Sequence, residues 1–239
     1  MKLLKAMAIA FSIYSKIPVP QFEWKEEDME YMMCFFPWIG GVIGLFFFGW
    51  AVLCEKFAVG NVCYALIGAA IPLMISGGFH VDGYMDTMDA FHSYQSREKK
   101  LEILKDSHIG AFAAIMLALY YMIDIAAISE IHTQKAVSAL AAVFFLARCF
   151  SGIAVMTLQP AKKEGLLYTF ASSAQKVRVK AALYFQTVLC VVLMLLVSGW
   201  YGAAAIGAAL LSFFYFKKKS YKELGGITGD TAGFFVTVC

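Results

Sequence analysis

The chain contains 239 residues, of which 61% are hydrophobic and only 15% are charged, with a formal net charge of +3. Because about a quarter of the residues in soluble domains are charged, this composition excludes an ordinary soluble domain and predicts that lipid surrounds most of the chain. A transmembrane helix needs about 20 apolar residues, so we expect residues 1–239 to form a single all-α domain, a polytopic membrane helical bundle of about six to seven transmembrane helices. The small, dispersed net charge predicts no nucleic acid partner.

The N-terminal segment, residues 1–20, begins like a signal peptide, with basic residues followed by an apolar stretch. A cleavage site should contain small residues, but Lys16 and the prolines Pro18 and Pro20 occupy its place. We therefore expect a retained interfacial or re-entrant helix.

Further apolar runs mark the expected spans, at residues 34–54, 58–81, 110–129 and 136–160. The uncharged run at residues 181–216 would be about 54 Å long as one helix, which exceeds the hydrocarbon thickness of about 30 Å. We therefore expect a helical hairpin there, with its turn at residues 198–202.

Lysine and arginine concentrate in four segments, at residues 1–33, 77–109, 158–180 and 217–222. Cytoplasmic loops of membrane proteins carry the excess of basic residues, and alternating the spans places all four segments on one side. The sequence therefore predicts that the polar loops face the cytoplasm, where nucleotides and free magnesium are available.

Three aspartates, Asp82, Asp86 and Asp89, recur at helical spacing after the second apolar run. The complementary positions are apolar, so we expect an amphipathic helix with three carboxylates on one face. Such neighbouring charges repel one another unless a cation neutralises them, and carboxylate oxygens suit Mg²⁺. The alternative is an interfacial helix whose acidic side chains are only solvated by water.

Gly78 and Gly83 are small enough to admit a bulky ligand, although they are equally plausible as packing residues.

Charged residues farther along supply more candidates. Lys105 is a candidate phosphate ligand and Asp106 a candidate metal ligand, with a solvated loop as the alternative.

Arg148 lies inside an apolar span. Inserting a guanidinium there costs a free energy of about 2.5 to 3.5 kcal/mol, so Arg148 needs a polar partner. A diphosphate ligand is one such partner, and Asp124 in the neighbouring span is the structural alternative.

A glycine-rich turn at residues 225–231 opens the last apolar segment. Its backbone N–H groups and hydroxyls, including those at Thr228 and Gly229, are suited to hold a phosphate at a helix N-terminus. Asp230 is equally suited to be a helix N-cap.

Together these pieces resemble the cobalamin synthase family, the adenosylcobinamide-GDP ribazoletransferases. The matching residues run through most of the chain: Lys16-Ile17-Pro18-Val19-Pro20, Phe36-Pro37 with Gly40 and Gly44, Gly77-Gly78-Phe79-His80, Asp82-Gly83, Asp86-Thr87, Asp89, Leu101-Glu102-Ile103, Lys105-Asp106-Ser107, Ile109-Gly110, Arg148, Glu164-Gly165-Leu166, Gly226 and Thr228-Gly229-Asp230-Thr231. Two positions depart from the family pattern, since Ala90 replaces a usual glycine and His108 a usual arginine.

The resemblance implies a Mg²⁺-dependent enzyme in the cytoplasmic membrane of a prokaryote. It would transfer the adenosylcobinamide phosphoryl group from adenosylcobinamide-GDP to α-ribazole or its 5′-phosphate, with GMP as the leaving group. The implied partners are these two substrates and the lipid bilayer, and a homo-oligomer is left open.

The resemblance also implies roles for individual residues. Asp82 and Asp86 would bind the metal, and Asp89 would be either a third ligand or the general base. Asp106 and Asp230 would complete a second metal or polar site. The implied substrate-binding residues are Gly78, His80, Gly83, Lys105, Arg148, Thr228 and Gly229.

Three other classes remain as alternatives. A CDP-alcohol phosphotransferase also has aspartates at helical spacing, but it needs an Ala-Arg pair that the stretch after Asp86 lacks. A membrane prenyltransferase usually carries two aspartate-rich motifs, and only one is strong here. A transporter would also explain Arg148 and Asp124 inside spans.

Overall fold

The computed structural model describes residues 2–20, 23, 25–162 and 164–239, without the side chains of Glu26 and Leu166. In chain order, its α-helices are α1 (Lys2–Tyr14), α2 (Phe36–Lys56), α3 (Asn61–Ser76), α4 (Phe79–His92), α5 (Arg97–Ile103), α6 (Ala111–Ile128), α7 (Gln134–Thr157), α8 (Leu166–Ser173), α9 (Lys176–Ser198), α10 (Trp200–Leu224) and α11 (Gly229–Val238). Two short 3₁₀ turns, Glu26–Met29 and Met32–Cys34, separate α1 from α2. The expected all-α membrane bundle is confirmed.

Four helices in the described part are long and apolar enough to cross a membrane: α2, α6, α7 and α9. The pair α3 and α4 passes the same test only together, with a 98° bend between them, which gives up to five spans. This number is below the six to seven expected from the sequence. One reason is that α3 ends at Ser76, short of the predicted residue 81; another is that lysines in the last third of α10 lower its mean hydropathy.

The predicted hairpin between residues 181 and 216 is confirmed, because α9 ends at Ser198 and α10 begins at Trp200. Gly199 makes the turn with a φ of +55°. The arms then pack closely, since a side chain at Gly202 would overlap the backbone carbonyl of Met194.

The bundle is organised around α7, which packs against α2, α9, α10 and α11. Gly40 and Gly44 let α2 approach α7, because a side chain at either position would overlap the backbone carbonyl of Phe144 or Ala141. Small residues spaced four apart are a common device for close contact between membrane helices.

A sharp bend at Gly77 and Gly78 separates α3 from α4. Both glycines have positive φ values, +67° and +85°, which side chains other than glycine rarely tolerate. The backbone N–H of Lys16 donates to the carbonyl of Ile75 at 2.8 Å, which ties the segment after α1 to the end of α3. The bend turns α4, the predicted acidic helix, across the bundle against α6 and α11.

Candidate active site

A cavity of about 490 Å³ lies where α1, α4, α7 and α11 meet the α7–α8 loop. Its volume falls within the range of small-molecule sites. The polar lining residues are Tyr14, His80, Asp82, Lys105, Ser151, Lys162, Glu164, Thr228 and Asp230. Helices from both halves of the chain therefore build a single polar site.

Of the three carboxylates that line this cavity, those of Asp82 and Asp230 come from helices, and that of Glu164 comes from the α7–α8 loop. Asp82 and Asp230 come together because α4 and α11 touch at Gly83, where an added Cβ would lie 2.8 Å from the backbone oxygen of Asp230. The missing side chain at Gly83 thus admits a neighbouring helix, which is the packing role left open by the sequence. Burial raises the pKa of Asp230.

The first turn of α11 is fixed by a reciprocal pair of hydrogen bonds. The backbone N–H of Thr231 donates to the Thr228 hydroxyl at 3.1 Å, and the Thr228 backbone N–H donates to the Thr231 hydroxyl at 2.8 Å. Thr228 is therefore the N-cap, so the alternative prediction of Asp230 as N-cap is wrong. The Asp230 carboxylate is left at the cavity, where it accepts a hydrogen bond from the Thr228 hydroxyl at 3.3 Å.

Two lysines bring positive charge to the same cavity. Lys105, which follows α5, pairs with Glu164 at 2.5 Å. Lys162 donates from Nζ to the backbone carbonyl of Leu101 at 2.6 Å. Burial, followed by the positive charge of Lys105, lowers the pKa of Lys162.

Lys162 reaches this position through a short parallel β-bridge between Pro160 and Ile227. The backbone N–H of Ala161 donates to the carbonyl of Ile227 at 2.8 Å, and that of Ile227 donates to the carbonyl of Gln159 at 3.0 Å. The bridge holds the α7–α8 loop beside the start of α11. The same backbone pairing therefore positions both Lys162 and Asp230.

Buried polar groups form the inner wall of the cavity. His80 is 5% exposed, and its Nε2 atom has no hydrogen-bond partner among the described residues. The ring of Tyr14 stacks on that of His80 with 5.8 Å between centroids. Ser151 is also buried and lines the cavity.

The other two aspartates of α4 do not line the cavity. Asp86 lies close enough to Asp82, Asp89 and Asp230 for their charges to repel its own. Both oxygens of Asp89 accept backbone hydrogen bonds, from Gly110 at 2.7 Å and Ala113 at 2.8 Å. Asp89 is therefore engaged at the N-terminus of α6.

Three further predicted residues also lie outside the cavity. Asp106 is exposed and accepts hydrogen bonds from the backbone N–H and ring Nδ1 of His108, at 3.0 and 2.6 Å. Arg148 is 3% exposed, and its Nη1 donates to the carbonyl of Phe144 at 2.9 Å. Gly78 lines a different cavity, beside the bend.

Within the described ranges, no group of three or more His, Cys, Asp or Glu side chains is arranged to hold a metal ion. Magnesium, however, often takes only one or two protein carboxylates and completes its shell with water and substrate phosphate oxygens. Asp82 and Asp230 fit that smaller requirement.

Sequence reasoning missed Lys162 and Ser151. Lys162 belongs to a basic loop that resembles any cytoplasmic loop of a membrane protein, and only the bridge to Ile227 brings it to the acids. Ser151 lies one helical turn after Arg148 on α7. That spacing is the sequence pattern from which a polar role for Ser151 could have been predicted.

Comparison with known proteins identifies the family. A family model described as cobalamin-5-phosphate synthase matches residues 6–239. The chain belongs to the cobalamin-5-phosphate synthase family. It is therefore an enzyme, a transferase of cobalamin synthesis.

Proteins named adenosylcobinamide-GDP ribazoletransferase are similar to this family member along its whole length. The protein from Lachnoclostridium phytofermentans is 44% identical over 239 residues, covering 100% of this chain and 91% of that protein. The protein from Clostridium botulinum strain Alaska E43 is 30% identical over 240 residues, covering 99% and 94%. The protein from Clostridium perfringens strain SM101 is 28% identical over 237 residues, covering 98% and 93%. No solved structure matches the chain.

Proposed function

We propose that this enzyme transfers the adenosylcobinamide phosphoryl group from adenosylcobinamide-GDP to α-ribazole or its 5′-phosphate and releases GMP. The family supports a ribazoletransferase step of cobalamin synthesis. We further propose that the reaction depends on Mg²⁺ and takes place in the cavity between α4 and α11.

The observation that carries this proposal is the meeting of the acids Asp82 and Asp230 with two lysines in one cavity. Asp82 and Asp230 line it together with Lys105 and Lys162. A nucleotide diphosphate needs both kinds of charge, since lysines hold phosphate oxygens and carboxylates hold the divalent cation that accompanies them.

In the proposed reaction, a ribose hydroxyl oxygen of the acceptor bonds to the phosphorus linked to cobinamide. The bond between that phosphorus and the bridging oxygen breaks, and GMP leaves with this oxygen. Lys105 and Lys162 would bind the diphosphate oxygens, and their positive charge would stabilise the charge that the leaving group gains. His80 and Ser151 would orient the substrate from the buried wall.

Asp82 and Asp230 would hold the magnesium ion, with Asp86 adding to the negative field around them. A bound Mg²⁺ neutralises charge on the phosphate oxygens in phosphoryl transfer. Asp89 would act by fixing the start of α6, because both its oxygens already accept backbone hydrogen bonds.

The cavity would face the cytoplasm. This orientation is supported by Lys105 and Lys162, which belong to the basic α4–α6 and α7–α9 connections and line the cavity. Both substrates would then reach the cavity from the side of the membrane on which nucleotides are made.

A transfer assay on purified enzyme in detergent or lipid tests the proposal. Wild type should release GMP only when Mg²⁺ and both substrates are present. The Asp82→Asn variant should lose about 100-fold or more in kcat with unchanged thermal stability, because the substitution removes charge without changing size. The Asp106→Asn variant, which removes an exposed acid outside the cavity, is the matched control and should keep wild-type turnover.

The possible outcomes of this assay test the site assignment and the proposed function separately. Unchanged turnover in Asp82→Asn would overturn the site assignment. Absence of GMP release by wild type would overturn the function, and substrate uptake by sealed vesicles without GMP release would indicate a transporter.

A further inference from the structure

A second cavity, of about 500 Å³, lies between α1 and the bend that joins α3 to α4. Its polar lining residues are Ser12, Ser15, Lys16, Ser76 and Asp82. Asp82 and Phe79 line both this cavity and the first one. The central acid of the proposed active site therefore borders two separate spaces.

We propose that the second cavity binds the ribazole acceptor and that Lys16 binds the acceptor's 5′-phosphate. This inference rests on the proposed function, because it assigns one cavity to each of the two substrates. The reaction needs an acceptor hydroxyl and a donor phosphorus to meet at one point, and Asp82 is the charged residue common to both cavities.

Lys16 is held at the mouth of this cavity by its backbone and by its side-chain stem. Its backbone N–H donates to the carbonyl of Ile75. Its stem lies across Gly77, where an added Cβ would lie 2.5 to 2.9 Å from three of the Lys16 side-chain carbons. A glycine at this position thus provides the space in which the lysine lies.

The charge of Lys16 is available for a ligand. Among the described residues, its Nζ forms no ion pair, whereas Lys105 pairs with Glu164 and Lys100 pairs with Glu223. The side chain is exposed, so a phosphate can reach it from solvent. One free ammonium group suits a phosphate monoester, whereas the two lysines of the first cavity suit a diphosphate.

The remaining lining suits a nucleoside. Ser12 and Ser76 offer hydroxyls that can exchange hydrogen bonds with a ribose, and Ile13, Phe79 and Met85 offer apolar surface for an aromatic base. The Phe79 ring is 40% exposed, so it has a free surface on which a base can stack.

In the complete step, a ribose hydroxyl oxygen of the acceptor bonds to the cobinamide-linked phosphorus, and the bond from that phosphorus to the GMP oxygen breaks. The hydroxyl proton passes to solvent at the exposed side of Asp82. The 5′-phosphate on Lys16 stays intact, so Lys16 sets which acceptor is preferred and leaves the reacting atoms alone.

A phosphate at Lys16 has two sources, the acceptor or an anionic lipid headgroup, since α1 carries the exposed apolar residues Leu3 and Leu4. The test compares α-ribazole 5′-phosphate with unphosphorylated α-ribazole as acceptors of the purified full-length enzyme. It is run in zwitterionic lipid alone and again with an anionic lipid added.

The Lys16→Met variant should lower the ratio of kcat/KM for the phosphorylated acceptor to that for the unphosphorylated acceptor by about tenfold or more, since a charge-assisted hydrogen bond is lost. The loss should appear mainly in KM for the acceptor, with the KM for adenosylcobinamide-GDP unchanged. Lys16→Arg should restore most of the ratio. Lys176→Met, at an exposed lysine on α9, is the matched control and should behave as wild type.

An unchanged ratio in Lys16→Met would overturn the inference while leaving the proposed function intact. A loss that is equal for both acceptors and appears only with anionic lipid would assign Lys16 to the headgroup and would also overturn it.

Two further measurements test the acceptor site independently of the Lys16 kinetics. Ser12→Trp, which fills the second cavity, should raise the acceptor KM and not the donor KM; the reverse pattern would contradict the assignment. If wild type transfers nothing, the proposed function fails, and calorimetric titration with α-ribazole 5′-phosphate still compares wild type with Lys16→Met. Equal affinity of the two proteins would overturn the acceptor site.

Discussion

The carboxylate of Asp89 accepts a hydrogen bond from the backbone N–H of Gly110 at 2.7 Å. Its other oxygen accepts one from Ala113 at 2.8 Å, so this side chain on α4 caps the next membrane span. An acid at the start of a helix satisfies unpaired N–H groups and complements the helix dipole. The contact links the acidic helix rigidly to α6.

Removal of this cap is expected to affect stability. Asp89→Ala should lower the free energy of unfolding by about 1 to 2 kcal/mol, because two N–H groups lose their acceptor. Asp89→Asn should recover part of the loss, since its amide oxygen still accepts one bond. Thermal unfolding in detergent measures both, with turnover measured beside it. Loss of turnover in Asp89→Asn at unchanged stability would instead indicate a metal ligand or general base.

The contact between α4 and α11 predicts a strong effect from one added methyl group. Gly83→Ala places a Cβ 2.8 Å from the backbone oxygen of Asp230, and backbone cannot move aside as a side chain does. We expect Asp82 and Asp230 to move apart, with a loss of about tenfold or more in kcat. Gly207→Ala is the matched control, because nothing lies within 4 Å of that position. Wild-type turnover in Gly83→Ala would show that the two acids need not lie together.

A buried ion pair between α5 and α10 predicts a pH-dependent contribution to stability. Lys100 is 7% exposed and donates to Glu223, which also pairs with Lys219 at 3.1 Å. The hydrogen bond from Lys100 lowers the pKa of Glu223. A lowered pKa in the folded state gives stability that is present above the unfolded value of about 4.3 and is lost as the pH falls through the folded pKa.

Glu223→Gln should therefore be less stable than wild type at neutral pH, and the difference should shrink as the pH is lowered below about 4. Melting temperatures across this pH range measure the effect. Glu102→Gln, in an exposed pair with Lys99, serves as the control and should change stability little. A difference between Glu223→Gln and wild type that is constant with pH would contradict the role of the pair.

The proposed orientation predicts where single cysteines can be labelled. Gln95, in the loop before α5, and Lys135, in the first turn of α7, are exposed residues that precede and follow α6 in the chain. Cys63 is an exposed free cysteine, so it is first replaced by serine. In this Cys63→Ser background, Gln95→Cys should react with a membrane-impermeant thiol reagent only from the cytoplasmic side, and Lys135→Cys only from the opposite side. The reverse pattern would invert the orientation, and labelling of both from one side would show that α6 does not cross.

Local pattern was enough to predict several elements. The acidic helix and the hairpin turn at Gly199 are both confirmed, because each depends on periodicity or glycine within a short stretch. The predicted span at residues 58–81 was too long, since an apolar run does not reveal that Gly77 and Gly78 take positive φ values and turn the chain.

Assignments that needed contacts between distant segments were harder. Asp86 and Asp89 share the helix face of Asp82 in sequence, but the packing of α6 against α4 engages Asp89 as a cap. Asp106 lies next to Lys105 in the chain, but its side chain turns to His108. Lys162 joins the site only through the pairing of Pro160 with Ile227, two positions far apart in sequence.

The 16 residues of α3 rise only about 24 Å, whereas the hydrocarbon layer is about 30 Å thick. A bilayer adjusts to a short helix by thinning locally. One surface of the thinned bilayer would then lie at the C-terminal end of α3, at Gly77 and Gly78, which line the second cavity. We therefore expect a local depression of the bilayer surface around the enzyme. Through it, a corrinoid as bulky as the proposed donor can reach Asp82 while its polar groups stay in water.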